Sequence, residues 1–492
     1  MDIRLDRLPR PVIEAYMAFP QRNEFVPVAV NNELLTVYSL KEQALPMADY
    51  LAWMMGMQIR SVLVGEEEFF PLLEQAMTLW EDAQEEQEDE TELPENIDGQ
   101  ELLGWSHEDA PIVRLVNKTL QDAINKGASD VHFEGQGARF LVRFRLDGEL
   151  YPYKQLNKAL QPTIVARIKV MGEMDVAESR TPQDGRIRVR LANKDVDIRV
   201  STVPTLNGEK AVLRILDRSK TILSLPDLGM EPDDLTVLRA ATSSPHGIVL
   251  VTGPTGSGKT TTLYAALSEL VRDARNIMTV EDPVEYHLAG VNQVQVNRSA
   301  GVTFASSIRA FLRQDPDIIL VGEIRDNETA STAIQASLTG HLVLSTLHTN
   351  DAPTAIARLL EMELEPFLVA SSLTLAMGQR LVRVVCPHCG REVPVPETTR
   401  RLLGANGESL TTQRMGRGCE QCFGTGFKGR RGIFELMPMD EELRSMIISK
   451  APVDEYHAYR KRHGLTTMWS HGMRLVAQGV TTCEEVLRVT RL

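Results

Sequence analysis

Residues 253–260 read Gly253-Pro254-Thr255-Gly256-Ser257-Gly258-Lys259-Thr260, a complete G-x-x-x-x-G-K-T spacing. Glycines at these intervals let successive backbone N–H groups curl around a phosphate at a helix N-terminus. The Lys259 ammonium can then reach the β- and γ-oxygens, and the Thr260 hydroxyl can ligate Mg²⁺. These eight residues are the expected nucleotide-binding set, with Thr260 as the Mg²⁺ ligand. The flanks fit: Ile248 to Thr252 is a short apolar strand, and Leu263, Ala266, Leu267 and Leu270 follow at helical spacing.

Phosphoryl transfer also needs carboxylates beside that loop, to hold a metal or to position water. Two apolar runs end in them. Ile277 to Val280 leads into Glu281-Asp282-Pro283-Val284-Glu285, and Ile318 to Val321 leads into Gly322-Glu323. The second run lacks a strand-terminal Asp, so Glu323 has to act on Mg²⁺ through water or serve as the base. A third run, Leu342 to Leu347, is bracketed by His341 and His348. Lone histidines are usually structural, but two at the ends of one strand could sense a γ-phosphate or position neighbours.

Cys386-Pro-His-Cys389 and Cys419-Glu-Gln-Cys422 form two C-x-x-C pairs 29 residues apart. Four thiolates suit a closed, tetrahedral and therefore structural Zn²⁺ site. A redox pair or four unliganded thiols is the alternative, and His388 is an available but redundant ligand. The fifth cysteine, Cys483, reads as a buried apolar residue. Five cysteines in 492 residues do not make a disulfide framework.

The elements that must position these groups divide the chain into several domains, as its length predicts. Residues 1–80 read as a small α/β unit, with strands at Phe25–Val30 and Leu34–Leu40 about an Asn31-Asn32-Glu33 turn. Helical spacing follows at Ala48, Leu51, Ala52 and Met55, then a strand at Ile59–Val64 and a helix at Phe69–Trp80. Residues 81–109 read as an acidic linker, with 11 acidic and no basic side chains between 81 and 101. A second small α/β domain spans 110–225. In it Arg186, Arg188 and Arg190 share one strand face and Ile187, Val189 and Leu191 the other, while Arg199 and Arg214 lie on later strands. The nucleotide domain is placed at 226–385, the tetracysteine subdomain at 386–430 and a helical region at 431–492.

The net charge of −14 comes from residues 61–113, which hold 17 acidic side chains and no Lys or Arg; the rest is nearly balanced. A dedicated nucleic-acid binder needs a basic face to neutralise phosphates, so no nucleic-acid partner is expected. The first eleven residues lack the apolar core of a secretory signal, and no run of 18 uncharged apolar residues occurs; Phe367–Met377 is the densest. A cytoplasmic protein that reaches a membrane only through partners is the expectation.

Together these blocks resemble the ATPases of type II secretion and type IV pilus assembly, within the RecA-like superfamily. Gly253–Thr260 matches the family's Walker A box, Thr279–Glu285 its Asp box, Asp317–Glu323 its atypical Walker B box, and Gly340–Asp351 its His box. The tetracysteine insertion resembles that of the secretion and pilus-assembly members. The compact first 80 residues are more similar to the type II secretion branch. The resemblance implies a RecA-like P-loop ATPase domain preceded by two small α/β domains.

It further implies a homo-hexamer at the inner membrane, with residues 1–80 docked on the cytoplasmic domain of a secretion-platform protein and a polytopic platform protein as second partner. Arg199 and Arg214, 15 residues apart, match the family's paired arginines, which reach the nucleotide phosphates. The implied catalytic set is Lys259, Glu281, Glu323, Arg199 and Arg214, with His341 and His348 as further candidates. Coupling to pseudopilus assembly and protein export is the function this implies. Pilus assembly is the alternative within the family, and a nucleic-acid motor the alternative outside it.

Overall fold

A computed structural model describes residues 8–9, 12–13, 16, 25–31, 34–40, 48, 57–66, 68–73 and 76, then 110–490 apart from 192–193, 218–222, 273 and 404–409. The chain forms two compact units, Met1–Glu101 and Leu102–Leu492. The acidic linker and most of the helical spacing around Leu51–Met55 lie outside the described residues.

In the first unit, β1 (Phe25–Asn31) and β2 (Leu34–Ser39) pair antiparallel, and β3 (Gln58–Leu63) joins β2 in parallel. Alternation buries Leu35 and Val37 of β2 on a core with Phe25 and Phe69.

The second unit opens with α1 (Ala110–Asn125), followed by β4 (Asp130–Gln136), β5 (Arg139–Leu146), β6 (Glu149–Asn157), α2 (Gln161–Met171), β7 (Gln183–Leu191), β8 (Lys194–Thr205) and β9 (Gly208–Asp217). The strands form an antiparallel sheet in the order β6-β5-β4-β9-β8-β7. Its apolar face, with Val131, Phe133, Phe140, Val142, Ile198 and Leu213, packs on Val116, Leu120, Ile164 and Ile168 of the two helices. The period of two then assigns the alternate residues, including Arg186, Arg199 and Arg214, to the opposite face.

After α3 (Pro232–Thr242) comes a seven-stranded sheet. It is built from β10 (Gly247–Thr252), β11 (Ile277–Glu281), β12 (Asn292–Gln295), β13 (Ile318–Val321), β14 (Leu342–Leu347), β15 (Leu373–Val385) and a seventh strand, Phe427–Pro438. Their order is β12-β11-β13-β14-β10-β15 and then the seventh strand, which alone is antiparallel. Helices α4 (Lys259–Leu270), α5 (Phe304–Phe311), α6 (Asn327–Leu338), α7 (Ala352–Glu361) and α8 (Pro366–Ser372) complete the layers. Separate apolar clusters, one with Leu250, Ile319 and Val343 and the other with Val251, Leu320 and Leu344, cover the two faces. Burial on both sides explains why β10, β13 and β14 read as near-continuous apolar runs, broken in β14 only by Ser345 and Thr346 and in β10 by the terminal Thr252. Part of the apolar run Phe367–Met377 has the same origin: α8 runs directly into central strand β15, whose Leu373, Leu375, Ala376 and Met377 are buried, whereas Phe367 and Leu368 on α8 are exposed. This is the expected α/β P-loop architecture, with helices on both faces of the sheet.

Between β15 and the seventh strand lies a two-stranded hairpin, β16 (Gly390–Pro394) and β17 (Thr412–Gly416), with α9 (Glu397–Leu403). The seventh strand is accordingly β18, and it returns residues 431–438 from the tetracysteine segment to the ATPase sheet. Helices α10 (Glu441–Ile448), α11 (Val453–Arg462), α12 (Met468–Ala477) and α13 (Cys483–Thr490) follow. The antiparallel β-sheet domain touches this region through its β5–β6 hairpin: Gly429 N–H donates to Asp147 at 2.8 Å and Arg383 to the Tyr151 hydroxyl at 2.6 Å. Among the described residues no helix is long and apolar enough to cross a membrane.

Candidate active site and metal centre

Strand β10 ends at Thr252, and the glycine-rich loop turns the chain into α4. Gly253 and Gly258 have φ of +154° and +87°, a region that penalises any Cβ. A side chain at either would also run into β15, with Gln379 O 2.4 Å from a Cβ at 253 and Gln379 Nε2 2.8 Å from one at 258. Lys259 is 8% exposed, and its Nζ donates to Gly253 O (2.7 Å) and Pro254 O (3.1 Å), so it lies folded along the loop. Burial pushes its pKa down to about 8 against the opposing charge of Glu323. The Ser257 hydroxyl is buried without a hydrogen-bond partner, and Thr260 is exposed in the first turn of α4. A polar hydroxyl and an ammonium resting on carbonyls are groups a phosphate would satisfy, so the loop fits a nucleotide.

Because β13 and β14 are parallel neighbours, with Val321 opposite Ser345, their carboxyl ends bring Glu323 and His348 together. His348 Nε2 lies 3.1 Å from Glu323 Oε2, and Arg325 Nε lies 2.6 Å from the same oxygen. Burial, then the charge of Lys259, lowers the His348 pKa and favours the neutral ring. A cavity of about 400 Å³ opens here, lined by Thr255, Arg325, His348, Thr349 and Arg358 among others.

Glu281 closes β11 and is 3% exposed. Its carboxylate accepts from Tyr264, from Thr279 Oγ1 at 2.6 Å and from Gln293 Nε2 at 3.2 Å. Burial and that carboxylate keep the Tyr264 phenol protonated, far above its ordinary range. Three donors leave Glu281 about one of its four or so acceptor directions free.

His341 is not part of this site. It precedes β14 at the amino end of a six-residue strand, roughly 20 Å from His348 along it. Its Nδ1 meets Ala336 O at 2.8 Å, against the last turn of α6.

Arg199 and Arg214 lie directly opposite one another on β8 and β9, and Arg186 is opposite Arg199 on β7. The row continues through Asp130 on β4 to Arg145 on β5. Arg214 Nε donates to Asp130 Oδ1 at 3.0 Å. A cleft of about 650 Å³ is lined by Arg186, Arg199, Arg214, Asp184, Ser201 and Glu173 among others, and none of its lining residues belongs to the glycine-rich loop. Within one chain the cleft of the paired arginines is therefore separate from the cavity beside the glycine-rich loop, which Thr255 lines.

The four cysteine sulphurs converge within 4.8 Å of one another. Neighbouring pairs are 3.9 Å (Cys386–Cys419), 3.8 Å (Cys389–Cys422) and 3.7 Å (Cys419–Cys422) apart. Zn–S bonds of about 2.3 Å in a tetrahedron require S–S edges of about 3.8 Å, so the set fits Zn²⁺. Burial disfavours a charged Cys422, but N–H groups of Cys419 and Gly426 donate to its sulphur at 3.2 and 3.3 Å and lower its pKa overall. Gly416 and Gly426 pass so closely that a Cβ at 416 would lie 2.0 Å from Gly426 O.

Residues 106–488 match the family described as type II/IV secretion system protein. The chain belongs to that family. The type II secretion system protein E of Pseudomonas aeruginosa is 50% identical to this secretion ATPase over 399 residues, which cover 81% of this chain and 79% of that one. The type II secretion system ATPase E of Vibrio cholerae is 46% identical over 419 residues, 85% and 83% of the two chains. The type IV pilus assembly ATPase PilB of Thermus thermophilus is 48% identical over 380 residues, 77% of this chain but 43% of that relative. Among solved structures, the pilus retraction motor PilT with bound ADP superposes with a TM-score of 0.51 at 26% identity, covering 76% of this chain and 96% of that one. The Legionella pneumophila ATPase DotB, at 22% identity, shares the fold with a TM-score of 0.56 over 76% and 95%. The secretion ATPase is thus an ATP-hydrolysing P-loop enzyme.

Sequence reasoning missed the residues of this secretion ATPase that hold the chemical groups in place. Tyr264, Gln293 and Arg325 carry no motif of their own: Tyr264 meets Glu281 from α4 and Gln293 meets it from β12, while Arg325 pairs with Glu323 two residues before it. The arginine row, by contrast, had a readable signal. Thr205 and Gly208 close a two-residue turn, and counting outward from it pairs Arg199 with Arg214.

Proposed function

We propose that this secretion ATPase is a hexameric motor, cytoplasmic and peripheral to the inner membrane, that couples ATP hydrolysis to pseudopilus assembly and protein export. The observation that carries the reading is the meeting of Glu323 and His348 at the carboxyl ends of β13 and β14, within the electrostatic reach of Lys259. In open α/β sheets that end is where ligands bind.

In this mechanism the loop amides and Lys259 hold the phosphates. Thr260, with Glu323 through water, would hold Mg²⁺, whose charge neutralises the transferred group. Glu281 orients the attacking water through its free acceptor direction, while Tyr264 and Gln293 fix its rotamer. His348, neutral and bonded to Glu323, reports the γ-phosphate. Arg199 and Arg214 reach the phosphates of a neighbouring subunit, since their cleft is separate from their own loop; such cations can be worth about 10³ to 10⁵ in rate. Closure around ATP and opening after hydrolysis become rigid-body motion of the β-sheet domain. Cys386, Cys389, Cys419 and Cys422 would hold a structural Zn²⁺. Residues 1–80 dock on the cytoplasmic domain of an inner-membrane secretion protein.

The similarity to PilB favours pilus assembly as the second reading. Capture of detergent-solubilised inner-membrane proteins by the full chain and by a chain lacking residues 1–80 separates them. A single-pass secretion-platform protein retained only by the full chain supports export. Pilus-platform components move the motor to pilus extension, and equal recovery by both chains removes the docking role of residues 1–80.

A further inference from the structure

We propose that Gln379, on the sheet strand beside the phosphate loop, is the positioning residue that sets the loop's nucleotide-binding shape. Strand β15 lies parallel to β10, with Gly378 opposite Thr252, so Gln379 emerges beneath the loop where β10 ends. Its side chain is 2% exposed and uses both ends of its amide. Nε2 donates to Ser257 O inside the loop at 2.9 Å, and Oε1 accepts from Thr262 Oγ1 on α4 at 2.8 Å. A donor at one end and an acceptor at the other is what an amide supplies; a carboxylate offers only acceptors and a thioether only a weak one.

The consequence for phosphate binding follows from peptide geometry. In a planar trans peptide the carbonyl of Ser257 and the N–H of Gly258 point in opposite directions. Holding Ser257 O toward Gln379 therefore fixes the Gly258 N–H facing away from it, on the side left for the ligand. The loop lies flush on this residue: a Cβ at Gly253 or Gly258 would meet Gln379 first. Both glycines are thus required by the strand beneath them as well as by φ. The next residue, Arg380, donates to Asn350 Oδ1 at 3.1 Å, so the same strand segment also anchors the chain that follows His348.

The inference rests on the nucleotide-site reading and is tested on the full chain with two variants. Gln379→Met keeps the volume and loses both hydrogen bonds; Gln379→Glu keeps the acceptor for Thr262 and turns a charge toward Ser257 O. Dissociation constants for ADP are measured by calorimetry, together with the melting temperature and zinc content of the nucleotide-free protein. The expected result is an ADP affinity lower by about tenfold in Gln379→Met, roughly the loss of one or two hydrogen bonds, and lower still in Gln379→Glu. Zinc content stays at the wild-type level. KM for ATP rises in step while kcat changes less than about twofold, because the loop holds the phosphates before and during transfer. Folded variants that bind ADP as the wild type does, or that lose kcat at unchanged KM, overturn the proposal. If Gln379→Glu does not fold, Gln379→Met decides alone. A wild-type chain that fails to bind ADP overturns this inference and the nucleotide site together.

Discussion

Glu485 offers a quantitative test of how the C-terminal helix is fastened to the rest of the second unit. Its side chain on α13 is 3% exposed and lies between two guanidiniums. Arg383 pairs with Oε1, while Arg488 donates to Oε1 at 3.0 Å and to Oε2 at 2.8 Å. Arg383 also stacks on Phe427 with 4.2 Å to the ring centroid and reaches Tyr151, and Arg488 reaches Glu149 at 2.9 Å, so the cluster also engages β6. Burial opposes the carboxylate's charge, but the hydrogen bonds and charges of the two arginines prevail and hold its pKa down to about 2, against an ordinary 4.5. A depressed folded-state pKa means that the charged form favours the fold. The stabilisation is complete above about pH 4.5 and is lost as pH falls toward 2. At about 1.36 kcal/mol per unit it amounts to about 3 kcal/mol at neutral pH and roughly half of that at pH 3. Glu485→Gln should therefore lower the melting temperature by roughly 5 °C at pH 7. The gap to the wild type should narrow as both are acidified. Scanning fluorimetry at pH 7 and pH 3 reads both effects. Equal melting temperatures at pH 7, or a gap that does not narrow in acid, would refute the reasoning.

Cys389→Ser should reduce bound zinc well below about one per chain, read by atomic absorption, and lower the melting temperature; a wild-type chain that holds no zinc would return the four thiols to an unliganded role. Arg199→Ala should slow ATP turnover at least about tenfold with zinc content unchanged, since its proposed role is on phosphates held by another subunit; wild-type turnover would make it an ordinary surface arginine. Glu323→Gln removes a carboxylate from Lys259 and His348, so turnover should fall by about 10² or more while ADP still binds, checked by phosphate release beside calorimetry. Turnover within a factor of two of the wild type contradicts its role.

Local chemistry was legible where it depends on local spacing. Phosphate binding by backbone amides needs fixed intervals along the chain, so Gly253 to Thr260 stand out, as do four thiols whose tetrahedral partners come in two tight pairs. The core strands were legible because burial on both faces removes alternation. What escaped depends on polarity and neighbours. His341 and His348 flank one strand symmetrically in sequence, but a parallel sheet binds ligands only at its carboxyl ends, so one histidine is in the site and the other is at the opposite pole. Tyr264 and Gln293 reach Glu281 from a helix and from edge strand β12, a meeting that no periodicity records. Strand β18 was read partly as the start of a helical region, because its pairing with β15 spans the whole tetracysteine insertion.

The most direct test of the central claim is steady-state phosphate release from Mg-ATP by the full chain and by Lys259→Ala. Loss of the ammonium proposed to hold the β- and γ-oxygens should lower turnover by about 10² or more, with zinc content and melting temperature close to the wild type. A well-folded Lys259→Ala chain that hydrolyses ATP at the wild-type rate would contradict the assignment of this loop as the catalytic nucleotide site.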